Sequence, residues 1–193
     1  MLRIAVEADV PRILSIYAPY VRDTTITFEY DVPTGAEFLE RFRSITRDFP
    51  WLVWEEEGEI LGYAYAARPF ERSAYRWCAE PSIYIKSTAQ GQGIGRKLYL
   101  ALEELLKLQG YQVLRALITG ENEGSCRFHE RLGYTLVGDI PLCGLKFGRW
   151  LNVFWMEKRI SIVHIPSEFP TKWSAIGQDA QKICDILFNL SLS

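Results

Sequence analysis

Apolar residues recur along this chain with two periods, and the switches between them mark out its elements. Leu2 to Val6 alternates well enough for a first strand. Asp9 and Pro11 then open a helical segment with Ile13, Ile16, Tyr17 and Tyr20 on one face. Thr34-Gly35-Ala36-Glu37 has capping-box spacing, the threonine hydroxyl serving the third helical amide while the glutamate reaches back. The helix it begins runs through Phe38, Leu39, Phe42 and Ile45 and must stop before Pro50. Residues 51–56 and 60–68 read as two strands, with Glu57-Gly58-Glu59 as their turn.

A polar and aromatic loop over 69–79 leads into a short strand over 82–85. Residues 93–109 carry the strongest helical pattern, with Leu98, Ala101, Leu102, Leu105 and Leu108 inward and Gly110 closing it. A strand over 113–119, a helix over 123–132 and a final β pair ending in a strand over 150–160 complete the order. That order predicts a mixed α/β domain and not a repeating βαβ array. Past Ile160, Pro166 and Pro170 interrupt the chain. Trp173, Ile176, Ala180, Ile183, Leu187 and Leu190 then recur at alternating spacings of three and four. The expectation is a body over 1–160 and an extension over 161–193, helical from about 172. So short a helix is marginal alone in water, so its stripe is expected to dock on the body, with a second subunit as the alternative partner.

Composition removes several function classes. A chain of 193 residues suffices for one domain with a full core. A net charge of −2 lacks the basic face of a nucleic-acid binder. No apolar stretch approaches the roughly 20 residues that span a bilayer, so no membrane partner is expected. Residues 1–13 carry Glu7 and Asp9 and no apolar signal core. Cys78, Cys126, Cys143 and Cys184 are scattered, and the only histidines are His129 and His164. That spacing supplies neither a metal site nor a disulfide framework, and the expectation is reduced thiols in the cytoplasm.

The candidate chemistry begins at Gln90-Gly91-Gln92-Gly93-Ile94-Gly95-Arg96, between the short strand and the strong helix. Three glycines allow close backbone approach and turn several amides one way, at the positive end of a helix; the combination suits a pyrophosphate. A nucleotide P-loop would need a Gly-Lys-Ser/Thr ending, and a dinucleotide fingerprint needs Gly-x-Gly-x-x-Gly. The spacing here is Gly-x-Gly-x-Gly, so neither fits, and a dinucleotide oxidoreductase is disfavoured.

The pattern Gln/Arg-x-x-Gly-x-Gly/Ala resembles the coenzyme A loop of the GNAT superfamily of N-acyltransferases. A second run, Asn122-x-x-Ser125-x-x-x-His129-x-x-x-Gly133-Tyr134, resembles that family's segment after the fifth strand. Four phrases resemble the phosphinothricin and methionine sulfoximine or sulfone acetyltransferases: residues 24–29 (TTITFE), 80–85 (EPSIYI), 129–134 (HERLGY) and 146–150 (KFGRW). The resemblance covers roughly residues 1–160.

It implies a largely antiparallel sheet flanked by helices, with acetyl-CoA as co-substrate, no metal, and a homodimer. Gln90, Gly91, Gln92, Gly93, Ile94, Gly95 and Arg96 would hold the pyrophosphate. Ile83, Tyr84 and Ile85 would pair with the pantetheine arm, and Asn122 and Ser125 would meet the coenzyme near its thiol. A bulge in the 82–85 strand would turn an unpaired amide toward the thioester carbonyl.

Glu80 is implied as the base that takes the proton of the attacking amine, and His129 as the acid for the departing sulfur. Cys78, Ala79 and Pro81 depart from the relatives' usual residues around that carboxylate. An amino-acid acceptor brings a carboxylate, for which Arg72 and Arg76 are candidates, with Phe28 and Tyr75 as pocket walls. The expected activity is acetyl transfer to the α-amino group of a small amino-acid-like substrate. The alternatives are a peptide or protein N-terminal amine as acceptor, or a non-catalytic acyl-CoA-binding module.

Overall fold

A computed structural model describes residues 1–176 together with 181, 183 and 185. Seven strands form one sheet: β1 (Leu2–Ile4), β2 (Trp51–Glu56), β3 (Glu59–Ala67), β4 (Cys78–Ile85), β5 (Val113–Thr119), β6 (Thr135–Lys146) and β7 (Arg149–Arg159). Their spatial order is β1-β2-β3-β4-β5-β7-β6. Every neighbouring pair is antiparallel except β4 and β5, which run parallel. The helices are α1 (Val10–Asp23), α2 (Gly35–Asp48), α3 (Ile94–Gln109), α4 (Glu123–Arg131) and a short α5 (Trp173–Ile176).

The two faces of the sheet carry separate cores. Leu52, Ala64, Ala79, Leu114, Ala116 and Met156 pack with the apolar stripe of α3. Val53, Tyr63 and Trp51 pack with Ile13, Ile16 and Tyr17 of α1 and Phe38 and Phe42 of α2. Because successive strand side chains alternate between faces, Glu80 stands on the α1–α2 side, next to Ala79 on the α3 side. The same alternation beside Met156 puts Trp155 on the face of Glu80.

Several expectations are met in detail. The Thr34–Glu37 capping box forms, with both reciprocal bonds present. Gly110 closes α3 in a left-handed conformation at φ +98. Asp9 precedes α1 but does not cap it with its side chain. Its carboxylate is fully buried and binds Arg3 at 2.6 and 2.8 Å, Arg12 at 2.5 Å and the Val6 amide at 2.9 Å.

Three local readings need correction. Leu108 faces outward, 58% exposed, and Leu106 is buried in its place. At roughly 100° per residue, Leu108 falls off the edge of the stripe made by Leu98, Leu102, Leu105, Leu106 and Gln109. The strand before the glycine loop starts at Cys78, four residues earlier than expected, and contains Pro81. Ladder bonds to β3 fall on even-numbered residues of β4, in register with Tyr84–Tyr63 and with the Lys86 amide donating to Leu61 at 2.8 Å. Pro81 therefore sits where no amide is asked for. The pairing with β3 also shows no register shift, so β4 carries no bulge.

The segment after β7 folds back over the body. Trp173 is buried in the α3-side core, and Ile176 and Ile183 pack against that core. Ala180, Leu187 and Leu190 of the anticipated stripe lie outside the described residues.

Candidate functional site

β4 and β5 pair at only two positions, Cys78–Val113 and Ala79–Leu114. Beyond them β4 stays with β3 and β5 with β7, and a cleft of about 580 Å³ opens beside the freed end of β4, toward α4. The odd-numbered amides of β4, those of Ile83 and Ile85, face the separated side. Strand splay thus supplies the free amides that a bulge was expected to supply.

Ile83 and Ile85 form one wall of the cleft, and Gln90, Gly91, Gly93, Ile94, Gly95 and Arg96 form its floor. Asn122 and Ser125 stand on the far wall. Gly91 and Gly93 take φ values of +77 and +80, which L side chains rarely adopt, and Gly93 is the residue from which α3 starts. Their turns aim consecutive amides and the positive end of a 16-residue helix into the cleft. Asn122 caps α4, its Oδ1 accepting from the Ser125 amide at 3.1 Å.

Two expected cleft residues lie elsewhere. Tyr84 points to the α1–α2 face, its ring 5.0 Å from Tyr17 and 5.3 Å from Tyr63. Its amide falls on the β3 ladder. The Gln92 side chain turns back to donate to the Thr88 carbonyl at 3.2 Å and does not line the cleft.

Sequence reasoning also missed part of the wall. Gly124, Phe128, Arg131 and Leu132 line the cleft along α4 and its cap. Phe128 stands three residues after Ser125, and Arg131 and Leu132 three and four after Phe128, and that helical spacing was the available signal. Tyr20 and Ile26 close the cleft from α1 and the loop after it. The Tyr20 hydroxyl donates to the Ile85 carbonyl at 2.5 Å and accepts from Gln90 at 3.1 Å.

Glu80 sits where β4 leaves β5, opposite Ala67 on β3. Burial, with no compensating charge, pushes its carboxyl up to about 7. Near neutrality it can therefore exchange a proton with a bound group. No ion pair or hydrogen bond holds this carboxylate among the described residues.

His129 does not reach the cleft. It is 3% exposed, boxed by Tyr99, Phe128 and Tyr134. Its Nδ1 lies 2.8 Å from the Ser125 carbonyl and must carry the proton there, so Nε2 accepts from the Tyr99 hydroxyl at 2.7 Å. Burial lowers its pKa, which keeps the ring neutral. Both nitrogens are committed within the core, which leaves no proton for a departing sulfur.

The candidate acceptor residues are only partly gathered. Phe28 packs against Gly144 of β6. Tyr75 is 43% exposed and rests on Phe70, with ring centroids 4.5 Å apart, and Phe70 rests on Trp155 at 5.8 Å. Arg72 is exposed on the same loop, with no ion pair among the described residues. Arg76 turns away, its guanidinium 4.7 Å above the ring of Phe169. Lys146, the first residue of the 146–150 phrase, is buried and donates to the carbonyls of Val21 at 2.9 Å and Thr27 at 2.6 Å. It ties the α1–α2 loop to the β6–β7 hairpin.

The acetyltransferase (GNAT) domain model matches residues 2–155. A methionine sulfoximine/methionine sulfone acetyltransferase of Pseudomonas aeruginosa is 38% identical over 160 residues, covering 81% of this chain and 92% of that protein. A phosphinothricin N-acetyltransferase of Streptomyces viridochromogenes is 35% identical over 157 residues, covering 81% of this chain and 86% of its own. Among solved structures, a phosphinothricin acetyltransferase from Sinorhizobium meliloti in complex with AcCoA superposes with a TM-score of 0.83 at 36% identity. That likeness covers 87% of this chain and 93% of the other.

The chain belongs to the GNAT acetyltransferase family. It is an acetyl-CoA-dependent N-acetyltransferase, and the splayed strands and the left-handed glycines of the loop before α3 fit that co-substrate. Among the described residues, no helix is long and apolar enough to cross a membrane.

Proposed function

We propose that this enzyme acetylates the α-amino group of a small amino-acid-like substrate of the phosphinothricin or methionine sulfoximine/sulfone kind, with Glu80 as the base. The carrying observation is the Glu80 carboxyl, raised to about 7 by burial at the divergence of β4 and β5. An α-ammonium group must lose a proton before it can attack, and a base is most useful when its pKa lies near the working pH. An ordinary carboxylate, near 4, would hold that proton too weakly.

Acetyl-CoA supplies the activated acetyl thioester. The amides of Ile83 and Ile85 are free to donate to a carbonyl oxygen beside them, which stabilises charge developing there. Amides at Gly91 to Gly95, with the Arg96 guanidinium, suit the pyrophosphate, and Arg131 brings a second cation to the same cleft. Arg72, exposed and without an ion pair among the described residues, is the better placed of the two loop arginines for an acceptor carboxylate. Phe28 and Tyr75 are its apolar walls.

A homodimer in the cytoplasm completes the reading. Leu136, Val137, Leu142, Phe147 and Trp150 are each more than half exposed on the β6–β7 hairpin at the sheet edge, a surface suited to a second copy. Free thiols at Cys78, Cys126 and Cys143 suit a reducing compartment.

Thiol release from acetyl-CoA, measured against phosphinothricin, methionine sulfone, methionine sulfoximine, the common free amino acids and short peptides, tests the substrate class. Turnover with the free amino-acid analogues is expected to exceed that with peptides. Peptide turnover alone would move the enzyme to N-terminal amines.

A further inference from the structure

The family match ends at residue 155, yet the chain continues across the body in an ordered path. The Ile160 amide donates to the Gln112 carbonyl at 3.0 Å, and the His164 amide donates to the Gln112 side chain at 3.1 Å. Thr171 and Gln109 exchange two hydrogen bonds at 2.8 Å each. Trp173 then enters the core, 6% exposed. Between these anchors, Glu168 and Phe169 engage the loop that leads into β4. The Glu168 carbonyl accepts from the Trp77 indole at 3.2 Å. The Phe169 ring stacks on Trp77 at 5.2 Å and carries the Arg76 guanidinium at 4.7 Å.

That loop lies over the face on which Glu80 stands. Its other attachments are Phe70 on Trp155, with Tyr75 riding on Phe70, and the Trp77 carbonyl, which accepts from the Gln112 and Val113 amides at 3.0 and 3.3 Å. The backbone of residues 70–77 is thus tied to the sheet at Trp77, while the Arg76 and Trp77 side chains are held by the extension, and Glu80 follows three residues later. Arg76 contributes to the second hold instead of presenting its charge to an acceptor.

We propose that residues 164–173 are a positioning segment for the acceptor side of the enzyme, in which Phe169 fixes the 70–77 loop through Arg76 and Trp77. The extension then sets how Tyr75 and Arg72 meet the acceptor, and so which amines reach Glu80. Phe169 touches no reacting atom and acts only through the loop. In its kinetic arm the inference rests on the proposed acetyl transfer to amino-acid-like amines.

Phe169→Leu keeps bulk but removes the ring, whereas Phe169→Tyr keeps the ring. Phe169 is 54% exposed, so both variants should fold, which the thermal shift with acetyl-CoA verifies. In Phe169→Leu, amide hydrogen exchange is expected to quicken in peptides spanning 70–77 and to stay at parental rates in those spanning 90–109. With methionine sulfone as acceptor, its KM should rise about 5- to 10-fold, the loss of one stacking and one cation–π contact, while the KM for acetyl-CoA stays put. Phe169→Tyr should restore both readouts. Unchanged exchange over 70–77 in Phe169→Leu would overturn the proposal, and so would quickened exchange with parental kinetics. If the parent itself acetylates no amino-acid analogue, the substrate reading fails, while the exchange measurement still decides whether Phe169 holds the loop.

Discussion

The ring of Phe28 fills the space that a side chain at residue 144 would need: a β-carbon on Gly144 would stand 2.2 Å from its Cε2. The loop carrying Phe28 is held on the same hairpin by Lys146, which donates to Thr27, and by the Tyr30 hydroxyl, which donates to Leu145. Gly144→Ala must therefore push the ring off β6. Overpacking of this kind costs about 1–3 kcal/mol. We expect a lower Tm and a raised KM for the amine, with acetyl-CoA binding unchanged. A parental KM would remove Phe28 from the acceptor wall.

Glu80→Gln should reduce turnover at neutral pH and leave acetyl-CoA affinity near normal, because the lost proton acceptor serves the amine. The parent's rate should climb through pH 7 as this carboxyl ionises, and the variant's deficit should shrink once the amine arrives neutral at higher pH. A variant with parental turnover at pH 7 would dismiss Glu80 as the base.

The same group makes a stability prediction. Its folded pKa of about 7 lies above the ordinary carboxylate value, so between those two values the native state binds more protons than the unfolded state. Stability is therefore lost as pH rises from about 4 toward 7. Relative to the parent, Glu80→Gln should gain roughly 2 kcal/mol at pH 8 and little at pH 4, read by denaturant melts. Equal differences at both pH values would contradict a half-buried carboxylate with no partner among the described residues.

His129→Phe tests the opposite assignment. With both ring nitrogens bonded inside the core, the substitution should cost about 1–3 kcal/mol by removing the Nε2 acceptor of the buried Tyr99 hydroxyl. Turnover per folded molecule should change little, and the pH–rate profile should keep its shape. Loss of a basic limb from that profile, in a protein still folded, would return His129 to catalysis.

Gly93→Val places a β-branched residue at φ +80, a conformation that costs about 1–2 kcal/mol. The thermal stabilisation by acetyl-CoA should disappear, since the amides of this turn would no longer converge. Gly35→Ala is the control: Gly35 does not line the cleft, and its methyl would meet nothing within 4 Å. A retained shift in Gly93→Val would put the coenzyme somewhere other than this turn.

Arg72→Ala should weaken amino-acid binding about 10- to 100-fold, the worth of a desolvated charge-assisted contact. Arg76→Ala should cost less and should quicken amide exchange in the loop, because its guanidinium is held by Phe169. Competition binding with methionine sulfone separates the two. The reverse order would mean that Arg76 swings to the acceptor.

The local chemistry of this protein was written in its sequence. Thr34 and Glu37 cap α2, Gly110 ends α3, and the glycine run at 91–95 stands at the start of the strongest helix, because each depends on neighbours within a turn or two. Glu80, Asn122 and Ser125 could be singled out the same way, from spacing and family resemblance. What tertiary structure decided was where side chains go once strands hundreds of atoms apart are brought together. His129 has a catalytic residue's position in the motif, but it lies under Tyr99, thirty residues earlier, which faces it from α3. The free amides at Ile83 and Ile85 arise from the divergence of β4 and β5, strands that no local pattern pairs. Arg76 and Phe169 lie far apart in the chain, and neither residue type reveals the other. Short-range hydrogen bonding and helical period are encoded where they act, whereas desolvation, stacking and strand splay depend on partners that only the folded chain supplies.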